Sequence, residues 1–349
     1  MAKKQIKVGK VPVGGGAPVT VQSMTNTNTE DIQATSEQAL RLERAGCDIV
    51  RFAVPTIEAA RAIGEIKKRI SIPVVADIHF DYRLALSAAD AGADKIRINP
   101  GNIGGPEKVK AIVDKCREKG IPIRVGVNSG SLEKSILAKY GGPTAEALAE
   151  SAMENVRMLN GFDFDDICIS AKASDVITTI KTYRLLSQMT EYPLHIGVTE
   201  AGTEYRGIIK SAVGIGALLA EGIGDTIRVS LTAPPEREIT AGIMILRGAG
   251  LRTGGVELIS CPSCGRCRID LIETAGKVEE ALAGYEGDIT VAVMGCAVNG
   301  PGEASRADYG IAGGDGEGVL FRKGRIVKKV SNSELVSELL RMIEEGNRA

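Results

Sequence analysis

One pattern repeats eight times between residue 19 and about residue 250, and it limits the chain to few folds. Each copy is a short β-branched run that ends in a polar residue, followed by an amphipathic, helix-like stretch. The runs are VTVQSMT (19–25), CDIVRFAV (47–54), PVVADIHF (73–80), KIRINPG (95–101), PIRVGVNSG (122–130), DICISAKAS (166–174), PLHIGVTEAG (193–202) and DTIRVSLT (225–232). Near-continuous apolar strands alternating with helices imply a parallel sheet covered by helices. Eight such units in roughly 250 residues match a closed (β/α)8 TIM barrel. AGCDIV, AGADKIRI and EGIGDTIRV place Gly just ahead of a strand, where it suits a helix C-cap.

The interval after the fifth strand, SLEKSILAKYGGPTAEAL, has room for a short extra helix at the barrel's C-terminal face, where active sites sit. The opening QIKVGKVPVGGGAPV reads as a hairpin with a Gly-rich turn, placed to cover the barrel's bottom. GAGLRTGGVE (248–257) reads as a linker, so the expected division is 1–250 and 251–349. Beyond it, VELISC, DITVAVMG, GVLFRKG and RIVKKV read as strands, and 267–283 and 332–345 as helices. This is a small α/β domain of ordinary size.

A formal net charge of −1 argues against a nucleic-acid or membrane surface, and 3% aromatic content with no Trp leaves no base-stacking platform. The N-terminal MAKKQIKVGK has no apolar h-region, and no apolar run is long enough to span a bilayer. The expectation is a cytoplasmic protein.

Polar residues on the strands are concentrated. Arg51, Asp77, His79, Arg97, Asn99, Arg124, Asn128, Lys172, Thr199, Glu200, Arg228 and Ser230 all lie on or just after strands. Asp77/His79, Arg97/Asn99 and Arg228/Ser230 are two apart and share one strand face. The helix-facing side of a barrel strand is apolar, so these pairs point inward near the C-terminal rim. Four arginines and a lysine there would be costly without an anion. Arginine forks match phosphate oxygens, so the expected ligand is an anion, foremost a diphosphate. The competing interpretation, that Asp77 or Glu200 merely neutralises two internal cations, fits any single arginine but not the set. His195 lies deeper in its strand and reads as structural. No Walker or dinucleotide fingerprint occurs.

CPSCGRC (261–267) directly follows a strand run, and MGCAVNGPGEA (294–304) supplies another cysteine. Two C-x-x-C steps with a distant Cys form a metal-ligand pattern. A closed tetrahedral zinc site is compatible with Cys261, Cys264, Cys267 and Cys296. An iron–sulfur cluster is equally compatible, although Leu271 stands where a ferredoxin-type run has its next cysteine. Spacing alone leaves the two balanced.

CPSCGR and VAVMGCAVNGPGEASRADYG resemble the C-terminal signature of the 4-hydroxy-3-methylbut-2-enyl diphosphate synthase family of the methylerythritol phosphate isoprenoid pathway. VQSMTNT, IVRFAVP, VADIHFDYRLAL, KIRINPGNIG, VGVNSGSLEK, HIGVTEAG and KSAVGIGALLAEGIGDTIRVSLT extend the similarity over nearly the whole chain, in the compact two-domain form. The resemblance implies a [4Fe–4S] cluster held by Cys261, Cys264, Cys296 and Glu303, with Cys267 an extra thiol. A carboxylate is displaced more easily than a thiolate, which leaves a coordination position open. It also implies 2-C-methyl-D-erythritol 2,4-cyclodiphosphate as substrate, opened and dehydrated with two electrons. Electrons would come from reduced flavodoxin or ferredoxin, and the chain would form a head-to-tail homodimer. In this framework Arg51, Arg97, Asn99, Arg124, Asn128, Lys172, Arg228 and Ser230 bind substrate, and Asp77, His79 or Glu200 supplies a proton. Cys47, Cys116 and Cys168 read as packing residues. The alternatives are a non-redox phosphometabolite enzyme with a structural zinc domain, and a binding module on a vestigial barrel.

Overall fold

A computed structural model describes residues 4–285, 287–296 and 304–347. The chain divides into two compact units after Arg252.

The first unit opens with a hairpin, β1 (Gln5–Val8) and β2 (Val11–Gly14). Its turn is Gly9–Lys10, with Gly9 at φ +56°. A two-residue turn with a left-handed Gly closes the hairpin, and Gly14 of the 14–16 triplet ends β2. Ile6, Val8 and Val13 pack on Ile49, Val75 and Cys168, so the hairpin plugs the N-terminal end of the barrel.

Eight parallel strands follow: β3 (Thr20–Met24), β4 (Ile49–Ala53), β5 (Val74–Asp77), β6 (Lys95–Ile98), β7 (Ile123–Asn128), β8 (Ile167–Lys172), β9 (His195–Ile196) and β10 (Thr226–Ile227). They pair in the order β8-β7-β6-β5-β4-β3-β10-β9. A bridge between Ile169 and Leu194 closes the ring. At that seam the Tyr183 hydroxyl accepts from Ala171 N and donates to His195 O at 2.7 Å, replacing a ladder bond. The expected (β/α)8 barrel is therefore present, with all eight strands where the repeat placed them.

The outer helices are α1 (Ile32–Arg44), α2 (Ile57–Lys67), α3 (Tyr82–Asp90), α4 (Pro106–Lys119), α5 (Lys134–Tyr140), α6 (Ala145–Asn160), α7 (Val176–Met189), α8 (Glu204–Ala220) and α9 (Pro235–Gly248). The short α5 is the extra helix expected after the fifth barrel strand. Asp31, Thr56, Asp81, Thr144 and Asp175 cap helix N-termini by accepting a backbone N–H. Gly46, Gly92 and Gly222 take positive φ just past α1, α3 and α8, as their placement suggested.

The strand period of two sorts the core. Phe52, Ala76, Ile96, Ile98, Val125 and Val127 face the helices and join Ala59, Ile63 and Ile66 of α2 in one apolar cluster. Fully burying one such isoleucine contributes roughly 2–3 kcal/mol. The alternate positions turn into the lumen, and there the sequence is polar.

The second unit holds β11 (Gly255–Ser260), α10 (Leu271–Ala281), β12 (Asp288–Met294), β13 (Tyr309–Ala312), β14 (Glu317–Arg322), β15 (Arg325–Ser331) and α11 (Leu335–Asn347). The sheet runs β11-β12-β13-β14-β15, parallel over the first three strands and antiparallel beyond. β13 escaped sequence reading because YGIA is short and half small residues. α10 begins at 271 rather than 267 because Asp270 caps it. Leu271, Val278, Val291, Ile311, Leu335 and Leu339 form its core. Among the described residues, no helix is long and apolar enough to cross a membrane.

Candidate active site

The lumen of the barrel becomes cationic toward its C-terminal end. Register sets Met24 beside Arg51, Ala53 beside Asp77, Asp77 beside Arg97, Arg97 beside Arg124, and Asn128 beside Lys172. Neighbouring strands thus deliver polar side chains into one chamber. Six cations, Arg51, Lys95, Arg97, Arg124, Lys172 and Arg228, meet two buried carboxylates, Asp77 and Glu238.

Asp77 is the hub of one side. Its carboxylate lies 3.2 Å from Arg97 Nη1 and 3.9 Å from Arg51 Nε, and its Oδ2 is 3.2 Å from His79 Nε2. Burial opposes its charge, but Arg51, the His79 hydrogen bond and Arg97 outweigh that and hold it well below the usual carboxylate range. Arg97 Nη2 also donates to Gly126 O at 3.3 Å, and Arg51 Nε points at Met24 Sδ at 3.0 Å.

Arg124 crosses the lumen. Its Nη1 donates to Gln22 Oε1 at 3.0 Å, and β7 and β3 lie four strands apart either way around the ring. Burial, then Arg97, pulls its guanidinium down to about 10. The Nε atoms of Arg97 and Arg124 make no protein hydrogen bond.

Lys172 is buried, and its ammonium is pushed well below its ordinary value by burial and then by Arg124, Arg228, Arg51 and Arg97. Arg51 is shifted the same way, first by burial. A dianionic group bound here would remove that penalty, because it supplies the charge the lumen lacks.

Arg228 is braced from the helix layer. Its Nε and Nη2 reach Glu238 at 3.2 and 3.4 Å, so it is anchored by an internal carboxylate. Glu238 also accepts from Ser23 Oγ and Leu231 N, tying β3, β10 and α9 together at the rim. Asn99 and Asn128 meet around Ser131: Asn99 Nδ2 is 3.5 Å from its Oγ, which donates to Asn128 O at 3.0 Å. His79 is exposed at the mouth beside Phe80. Glu200 is exposed on the loop after β9, with φ +52°, and no hydrogen bond or ion pair joins it to Asp77 or His79; Ser230 lies half-buried after β10. His195 is fully buried and held neutral, first by burial and then by the cations above it.

Gln22, Lys95 and Glu238 were not singled out in the sequence. Lys95 carried a usable signal, since it sits two residues before Arg97 and therefore shares its face; burial pushes its ammonium down to about 8. Glu238 carried none, because a helix-start glutamate like Glu236 beside it looks the same in sequence.

In the second unit, Ser260 pairs with Val293, so Cys261 and Cys296 leave the same end of adjacent parallel strands. Cys261 Sγ accepts from Gly295 N at 3.3 Å, and Cys267 Sγ accepts from Cys264 N at 3.4 Å. Cys264 is exposed, and hydrogen bonds from the Arg266 backbone and side chain lower its thiol below the usual value. N–H donors aimed at sulfur and an acidified thiol suit thiolate ligands of a soft metal site. Among the described residues, no three potential ligands stand close enough to hold one ion. Glu303 lies outside the described residues. Cys47, Cys116 and Cys168 are buried, as expected.

The barrel domain of the GcpE family matches residues 3–243, and that family's C-terminal domain matches 257–345. The chain belongs to the GcpE family. GcpE relatives named 4-hydroxy-3-methylbut-2-en-1-yl diphosphate synthase (flavodoxin) are close throughout. The one from Caldicellulosiruptor saccharolyticus is 61% identical over 340 residues, 97% of this chain and 98% of the relative. The one from Clostridium perfringens is 60% identical over 341 residues, 98% of each. Among solved structures, dihydropteroate synthase from Stenotrophomonas maltophilia covers 70% of this chain and 96% of its own, with TM-score 0.51 and 14% identity. N-acetylneuraminic acid synthetase from Leptospira borgpetersenii covers 81% of this chain and 99% of its own, with TM-score 0.50 and 12% identity. These two share the fold of the GcpE barrel and nothing more.

Proposed function

We propose that this chain reduces 2-C-methyl-D-erythritol 2,4-cyclodiphosphate to 4-hydroxy-3-methylbut-2-enyl diphosphate, consuming two electrons and losing one water. The observation that carries the reading is the lumen with six cations against two carboxylates, in a chain about 60% identical to synthases of that product. Arg97, Arg124 and Lys172 bind the diphosphate, Arg51 supports it from the Asp77 side, and Arg228 carries Ser230 at the rim. Asn99 and Asn128 orient the ligand. Pre-positioned charges of this kind act through electrostatics and orientation.

Asp77 is too firmly ionised by Arg51, His79 and Arg97 to be a good acid. It serves to hold the clamp and to orient the His79 ring. His79 stands at the mouth and is the proton donor we assign to the departing hydroxyl, with Glu200 the second candidate on the far loop.

Cys261, Cys264, Cys296 and Glu303 would hold a [4Fe–4S] cluster, with Cys267 a neighbouring thiol. Bound there, the cluster supplies the two electrons one at a time. The donor is reduced flavodoxin, in keeping with the names of the relatives, and the enzyme works in the cytoplasm. We read the working unit as a head-to-tail homodimer. Mixing a barrel-defective chain with a cluster-defective one should then restore part of the activity, and no rescue would contradict it. A non-redox zinc enzyme is set aside, because the relatives carry the name of a flavodoxin-dependent synthase.

Anaerobic purification with iron, sulfide and zinc analysis tests the metal. About four irons per chain and a broad absorption near roughly 400 nm are expected. About one zinc in a colourless protein would overturn the redox reading.

A further inference from the structure

Arg97 does not stand free in the lumen. It leans sideways from β6 onto the neighbouring strand β7, where the residue beneath it is Gly126. A Cβ built at Gly126 would meet Arg97 Nε at 2.3 Å, Nη2 at 2.7 Å and Cζ at 2.8 Å. Those are the three nearest atoms, so the guanidinium itself occupies the place of a side chain. The same arrangement recurs two strands on. Lys172 leans from β8 toward Gly197 beyond β9, whose Cβ would lie 2.8 Å from Lys172 Nζ. In both cases a lumenal cation rests on the glycine of the next strand.

We propose that Gly126 is a positioning residue of the diphosphate clamp: its missing side chain is the seat of the Arg97 guanidinium. The inference rests on the clamp reading above. With Gly at 126 the fork lies flat against the barrel wall, between Asp77 and Gly126 O. In that position the fork is kept out of the space the diphosphate needs. A methyl group at 126 would push the fork off both partners and into the space the ligand needs. The Gly126 backbone is not left-handed, so alanine imposes no backbone strain there. Gly197 is a poorer probe, because its Cβ would also strike Arg228 O at 2.4 Å.

The test is steady-state kinetics of the cluster-loaded enzyme with the cyclodiphosphate. Gly126→Ala should raise KM about tenfold while kcat changes less than about twofold. Arg97→Ala removes every atom that a Cβ at 126 would meet, so Gly126→Ala should add little in the Arg97→Ala background. If Gly126→Ala alone fails to fold, the Gly126→Ala/Arg97→Ala pair should fold, since the overlap is gone. Three results overturn the seat: Gly126→Ala with unchanged KM while Arg97→Ala raises it; a full effect persisting in the Arg97→Ala background; or misfolding that Arg97→Ala does not relieve. Unchanged KM in Arg97→Ala would instead overturn the clamp on which the seat rests.

Discussion

The barrel mouth and the cysteine loop are built on opposite principles. At the mouth, the functional side chains are held by other side chains: Arg97 by Asp77, Arg124 by Gln22 across the lumen, Arg228 by Glu238. Arg97 and Arg124 are buried on short strands whose register leaves them little freedom, and Arg228 follows directly after one. In the second unit, the thiols sit on loops at the end of a sheet, steadied by single N–H···S contacts, with Cys264 exposed. A site with a large excess of one charge must be braced by the protein beforehand. A thiolate site can take its final geometry from the metal, because the metal–ligand bonds supply the energy.

Variants of the two regions should therefore fail in different ways. The largest effect belongs to Cys261→Ala or Cys264→Ala: iron content and activity are lost together, while the barrel's unfolding transition barely moves. Calorimetry with iron analysis checks this, and a barrel that melts with the cluster would erase the contrast. Next comes Arg124→Ala, which should lower kcat/KM about a hundredfold with iron content unchanged.

Lys95 sharpens the comparison through pH. Its folded-state value of about 8 lies below its ordinary 10.5, because burial opposes the charge. Below about pH 8 the buried charge costs stability, and the cost fades as pH rises toward 10.5. Lys95→Met should then be more stable than the parent at neutral pH, with the gap closing over that window. Denaturant melts across the window check the sign, and a constant gap would contradict it. The smallest effect is expected for Cys267→Ser, with iron content and turnover close to the parent; loss of the cluster would make Cys267 a ligand.

Much of the mouth was legible because strands have a period of two. Arg97 and Asn99, or Arg228 and Ser230, declare a shared face in the sequence itself. What completes the site was not legible, since it depends on strands meeting around a ring. Gln22 gains its role only because β3 stands opposite β7. Glu238 gains its role by reaching from α9 to the rim. Arg228 looked like Arg97 in sequence, yet its carboxylate partner comes from the helix α9 rather than from a neighbouring strand. In the second unit the reverse holds: CPSCGRC announced its chemistry at once, but spacing could not choose the metal.

The most direct test of the account is single-substrate turnover by anaerobically purified enzyme with reduced flavodoxin, following the cyclodiphosphate and its product by phosphorus NMR. The account predicts conversion to 4-hydroxy-3-methylbut-2-enyl diphosphate with about two electrons consumed per molecule, and none without reductant. Binding of the cyclodiphosphate by iron-loaded, reduced enzyme without ring opening would contradict it.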